Sequence, residues 1–183
     1  MNDKLIKFIL EDQAMVEVLK NVRGLNLPDC WIGAGFVRNK AWDLLHGFTG
    51  PLKFTDVDVV FFDKNKIEND QYDKDIEEKL KGLKPDISWE VVNQARTHQW
   101  HHRSPYIDTT DAISEWVETA TCIGIRLTDK NELIFTAPHG FKDLENLILR
   151  PVPSLKNIEI FNERIFKKKW LETWPKLKNI VRK

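Results

Sequence analysis

Leu5, Phe8, Ile9, Met15, Val16, Val18 and Leu19 recur at helical spacing, which predicts an amphipathic N-terminal helix or helix pair ending near Gly24. A Pro-containing connection at 26–29 leads to a short apolar strand at 30–32. A helix over 36–45 follows, ended by Gly47. The run "DVDVVFFD", residues 56–63, is β-branched and aromatic and is the clearest strand in the chain. "NDQYDKDIEEKLKGL" predicts a helix stopped by Gly82, and "ISWEVVNQA" another strand.

Beyond residue 100 the pattern is less regular. "TTDAISEWVET" predicts a short helix with Thr110 as its cap. "TCIGIRL" and "ELIFTA" read as two strands joined by a polar turn at 128–131. "GFKDLENLIL" reads as helical, "RPVP" interrupts it, and 155–171 reads as a final helix. Strand and helix alternating, then a hairpin, imply an α+β (α/β) domain with helices packed on a sheet.

That pattern makes the placement of a few polar residues informative. In a strand, residues two apart share a face, so Asp56 and Asp58 present both carboxylates together while Val57, Val59 and Phe61 enter a core. Carboxylates about 7 Å apart repel unless a cation lies between them, and such oxygen-rich sites suit Mg²⁺ or Mn²⁺. Glu90, flanked by Trp89, Val91 and Val92, completes a three-carboxylate cluster if its strand lies beside the first; an edge-strand acid facing water is the alternative. Gly33 and Gly35 stand at a strand-to-helix junction, where backbone N–H groups can receive phosphate or merely make a tight turn. Each feature alone is weak, and their order along the chain is what gives them weight.

Composition removes several function classes. The 183 residues are 42% hydrophobic and 31% charged with zero net charge, so nothing in the totals points to nucleic acid or a membrane surface. No apolar stretch is long enough to cross a bilayer, and the N-terminal segment is no signal-peptide core. Cys30 and Cys122, far apart in apolar stretches, read most simply as buried thiols of a soluble cytoplasmic protein, with a disulfide as the alternative. A basic C-terminal segment, Arg164 to Lys183, reads as a solvated helix face or a contact for a polyanion. His98, His101 and His102 lie close together without cysteine companions, so acceptor contact or surface packing is favoured over zinc. Arg96 and His98 continue the Glu90 strand and are expected to line the same cleft.

"IGAGFVRNKAWDLLHG" followed by "DVDVVFF" resembles the nucleotidyltransferase superfamily, whose fold DNA polymerase β and the CCA-adding enzymes share. The whole chain is similar to a family of small bacterial nucleotidyltransferase-like proteins through "WEVVNQARTH", "DAISEWVETATCIGIRL" and "APHGFKDLENL". The resemblance implies a nucleotidyltransferase fold with a mixed central sheet. It implies one domain over 1–183, with the N-terminal helix 3–23 and the helical region 155–180 as appendages. Asp56, Asp58 and Glu90 match the catalytic, metal-binding acids; Gly33, Ala34, Gly35, Arg38 and Asn39 match the nucleotide-binding turn. Ala34 stands where the family has its first glycine, and Asn39 where the CCA-adding motif has aspartate. Arg38 would pair with phosphate or else brace the turn. The implied reaction is Mg²⁺- or Mn²⁺-dependent transfer of a nucleoside monophosphate from a nucleoside triphosphate to an unknown hydroxyl acceptor, whether small molecule, protein or RNA. The alternatives are a catalytically silent nucleotide-binding or regulatory domain and an RNA-modifying enzyme. No membrane and no clear protein partner are implied.

Overall fold

A computed structural model describes residues 3–54, 56–100 and 103–180. The N-terminal pattern resolves into two helices, α1 (Asp3–Glu11) and α2 (Gln13–Arg23). Asp12 sits between them as the cap of α2, its side chain accepting from the Met15 N–H. β1 (Trp31–Gly33) leads into α3 (Gly35–His46), which ends at Gly47 with φ 76°, a left-handed conformation glycine adopts without strain. Then come β2 (Val57–Phe61), α4 (Asp70–Leu83) and β3 (Trp89–Asn93). Asp56 therefore stands one residue ahead of its strand rather than within it.

The sheet order is β3-β2-β1, continued by β4 (Gly124–Leu127) and β5 (Leu133–Thr136). β2 and β3 pair in parallel and the other neighbours are antiparallel, so the sheet is mixed, as expected. Val57, Val59 and Phe61 are fully buried in the main core, together with Ile32, Val37 and Trp42. Leu5, Ile9, Met15 and Val18 enter the same core from α1 and α2, and Phe161, Trp170 and Trp174 enter it from the C-terminal region. Both outlying regions are thus built into the central packing. On the other sheet face Val60, Trp31 and Ile113 form a small second cluster, closed by Trp116.

Several local expectations change. Gly82 lies inside α4, which runs one residue further, because a mid-helix glycine weakens a helix by about 1 kcal/mol without ending it. The cap of α5 (Thr109–Ile113) is Asp108, whose carboxylate accepts from the Asp111 N–H, and not Thr110. Residues 140–149 give only a single helical turn, α6 (Lys142–Glu145), followed by β6 (Ile148–Leu149). The last helix is divided into α7 (Ile158–Lys168) and α8 (Trp170–Thr173) by Lys169, whose φ of 51° breaks the helical path. β7 (Lys178–Asn179) then returns to pair in parallel with β6. Among the described residues no helix is long and apolar enough to cross a membrane.

Candidate active site

Alternation along β2 sends Asp58 and Val60 to the face opposite the main core. The parallel register sets Asp58 directly across from Glu90 of β3. Because β3 is the sheet edge, Glu90 is exposed, while Asp58 is partly buried. Burial, then the charges of Asp56 and Glu90, push the Asp58 carboxyl from 3.8 up to about 6; Arg38 and Arg164 pull weakly the other way. Lys168 Nζ of α7 lies 3.7 Å from Asp56 Oδ2. Among the described residues no three His, Cys, Asp or Glu side chains are gathered closely enough to hold a metal ion. The donor chemistry nonetheless fits a hard cation, since the neighbouring charges that raise the Asp58 carboxyl also attract a divalent cation.

The glycine turn divides its tasks. Gly33 is a β1 residue, and a β-carbon there would collide with the Trp116 ring, so it serves close packing. Ala34 carries φ 52° and ψ −119°, a strained backbone for a residue with a side chain. It precedes an α3 whose first turn has no side-chain cap, whereas α2, α4 and α7 are capped by Asp12, Asn69 and Asn157. The N–H groups at the start of α3 therefore keep their capacity to bind an anion.

Arg38 is buried between aromatic rings, its guanidinium carbon 5.1 Å from the Trp42 centroid and 4.3 Å from that of Trp170. It donates to Thr121 Oγ1 at 2.8 Å and twice to Asn39 Oδ1. Burial lowers its pKa to about 10, so it stays charged at neutral pH. This geometry is that of the brace. Arg96, expected in the cleft, is instead buried in an ion pair with Asp73 that fastens α4 to the end of β3. His98 hydrogen-bonds the Ala95 carbonyl at 3.0 Å and meets Tyr106 edge-on. Neither Arg96 nor His98 lines the cavity beside Asp58. His101 and His102 lie outside the described residues.

Two cavities flank the acids. One of about 250 Å³ is bordered by Ala34, Asp58, Glu90, Trp100, Tyr106 and Glu115, with Arg164 at its wall. The other, of about 540 Å³, is bordered by Arg38, Asn39, Phe48, Lys53, Asp56, Lys168 and Trp170. Arg164 Nε lies 2.8 Å from Oε1 of the fully buried Glu118, an ion pair whose angle falls short of a hydrogen bond. Sequence reasoning missed Glu118 and Arg164, although an isolated acid in "WVETATC" carries the same signal that drew attention to Glu90.

Comparison with known proteins agrees with this fold. A solution structure described as a CCA-adding enzyme head domain is 32% identical, with a TM-score of 0.88 over 100% of this chain and 97% of that one. A CCA-adding enzyme in complex with CTP superposes with a TM-score of 0.58 at 16% identity, covering 96% of this chain but 43% of the other. The Thermotoga maritima CCA-adding enzyme complexed with tRNA gives 0.58 at 18% identity, over 96% of this chain and 42% of that enzyme. The chain thus spans less than half the length of these two enzymes, and they share its fold. No functionally curated protein matches the sequence. A nucleotidyltransferase family model matches residues 20–179, a span that takes in the uncapped turn, Asp56, Asp58 and Glu90; the chain belongs to that nucleotidyltransferase family.

Proposed function

We propose that the protein is a divalent-cation-dependent nucleotidyltransferase that moves a nucleoside monophosphate from a nucleoside triphosphate to a hydroxyl acceptor. The observation that carries this reading is Asp58 set across from Glu90 and near Asp56, beside the uncapped start of α3. Asp56 and Asp58 would hold Mg²⁺ or Mn²⁺, with phosphate oxygens completing the ligand set, and Glu90 is the third acid. Such a cation, when bound, offsets charge on the phosphate oxygens. The first-turn N–H groups of α3 receive phosphate oxygens along the favourable end of the helix dipole. Arg38 acts through Asn39 and Thr121, keeping the turn in shape. Lys53 and Lys168, on the wall of the larger cavity, neutralise the triphosphate. Glu90, exposed at the edge, takes the proton of the attacking hydroxyl.

The family match and the shared fold support the reading, and the solved relatives include complexes with CTP and with ATP. The two free thiols, Cys122 buried and Cys30 partly so, suit a cytoplasmic protein. The test is incubation with Mg²⁺ or Mn²⁺, each labelled triphosphate, and cell extract as acceptor. Transfer by the wild type and a loss of at least about a hundredfold in Asp58→Asn is the expected result. A wild type that binds triphosphate yet transfers nothing across a broad acceptor screen favours the binding-domain alternative.

A further inference from the structure

The two cavities differ in charge as well as size. The larger is bordered by Arg38, Lys53 and Lys168 against Asp43 and Asp56. The smaller has Arg164 alone against Asp58, Glu90 and Glu115. A triphosphate therefore belongs on the larger side, where cations outnumber acids. Charges on the smaller side are already matched within the protein: Arg164 by the buried Glu118, and Glu115 by Arg103 with a further hydrogen bond from Ser154. Once a divalent cation sits at Asp58, little uncompensated charge remains there.

What remains is a largely apolar wall on which Gln94, Thr97 and Thr121 are hydrogen-bonded within the protein and Tyr106 is not. Trp100, Trp116, Val60 and Ala112 line it, and Trp100 is 61% exposed. The buried Tyr106 hydroxyl lies near the Arg103 guanidinium without a hydrogen bond of ordinary geometry among the described residues. Buried hydroxyls ordinarily have partners, so this one is available to a ligand's oxygen.

We infer that the smaller cavity receives the acceptor, and that the acceptor is a small uncharged alcohol with an apolar or aromatic body. This rests on the transferase reading above. Its hydroxyl reaches the Asp58–Glu90 edge while its body lies among Trp100, Trp116 and Tyr106. In the transfer step the acceptor O–H bond breaks, its proton passes to Glu90, and its oxygen bonds to the α-phosphorus. The bond from that phosphorus to the pyrophosphate oxygen breaks, and pyrophosphate leaves. A polynucleotide end carries a charge at every phosphate and finds no unmatched cation on this wall.

The experiment is ligand-observed NMR and calorimetry on the full chain with Mg²⁺ and a non-hydrolysable triphosphate. The probes are 2-phenylethanol, phenylacetate as its anionic counterpart, and a ribo-oligonucleotide ending in cytidine. The expected result is binding of the alcohol, with phenylacetate about tenfold weaker. Trp100→Ala should weaken the alcohol about fivefold and leave triphosphate affinity in place; Lys53→Ala should do the reverse. Tyr106→Phe, a conservative change, should also weaken the alcohol. Alcohol binding indifferent to both Trp100→Ala and Tyr106→Phe overturns the inference, and so does an oligonucleotide that binds in place of the alcohol. Should triphosphate fail to bind the wild type while the alcohol follows the expected variants, the transferase reading fails and the cavity assignment stands.

Discussion

Two aspartates of this protein, one buried and one partly buried, have opposite surroundings. Asp12 lies where α1 meets α2, 6% exposed, with Lys40 Nζ 2.6 Å from its carboxylate. The backbone N–H groups of Leu52 and Met15 donate to the same carboxylate, and Lys40 also donates to the Gly50 carbonyl. Burial pushes this carboxyl up, but Lys40 and the two N–H donors outweigh it, so the group stays below its ordinary value. Asp58 is pushed up by burial, and its nearest charged companions, Asp56 and Glu90, push it further. One carboxylate is satisfied internally; the other is held among like charges. The difference is the one expected between a structural charge and the metal ligand proposed above.

The sharpest way to break this comparison is to disturb the satisfied side. Asp12→Ala leaves Lys40 buried without its carboxylate, and should cost about 3–5 kcal/mol in chemical denaturation. A loss below about 1 kcal/mol would mean that water enters and the pair is not structural. Asp58→Asn should act in the other direction. A carboxyl raised from 3.8 to about 6 penalises the metal-free fold near neutrality by about 3 kcal/mol at most. Allowing for water reaching the group and for the amide's own burial, the variant should gain roughly 1–2 kcal/mol without metal.

Acidity then separates the two sites by sign. Because the folded pKa of Asp58 is raised, its penalty is full above about pH 6 and is relieved as pH falls through that value towards 3.8. The stability gap between Asp58→Asn and wild type should therefore be widest near pH 7.5 and close by pH 4, with Asp56, Glu90, Arg38 and Arg164 the charges facing the group. Asp12, with its lowered folded pKa, contributes stability above its unfolded value and loses it as pH falls through the folded one. A gap that widens on acidification would contradict the assignment. The smallest effect is expected at the turn: Ala34→Gly should relieve the positive φ and stabilise by about 0.5–1 kcal/mol, read from thermal melts.

How much of this was legible beforehand depended on the length of each signal. β2 declared itself through alternating Val and Asp, and α3 through Gly47, because these patterns extend over several residues. β6 and β7 are two residues each, too short for any period, and their pairing joins distant parts of the chain. Asp58 was identifiable from its strand, but Arg96 was misplaced because strand periodicity was carried into a 3₁₀ turn at Gln94–Gln99. Glu90 and Glu118 look alike in sequence, single acids among apolar neighbours. The sheet order makes the first an exposed edge residue, whereas the second lies outside the sheet and is the fully buried partner of Arg164.

The short pairing of β7 with β6 also bears on how the molecule is assembled. Lys178 and Ile180 donate to the carbonyls of Leu147 and Leu149, and Trp174 donates to Asp43, so the stretch carrying Arg164, Lys168 and Trp170 is fastened at both ends. On the ribosome that stretch emerges after Asp56, Asp58 and Glu90 have all been made. Until it docks, the acids face one another without the basic cover that tempers their repulsion, and contacts so distant in sequence are slow to close. The acid edge is therefore completed only after the segment carrying Arg164, Lys168 and Trp170 has been made and docked.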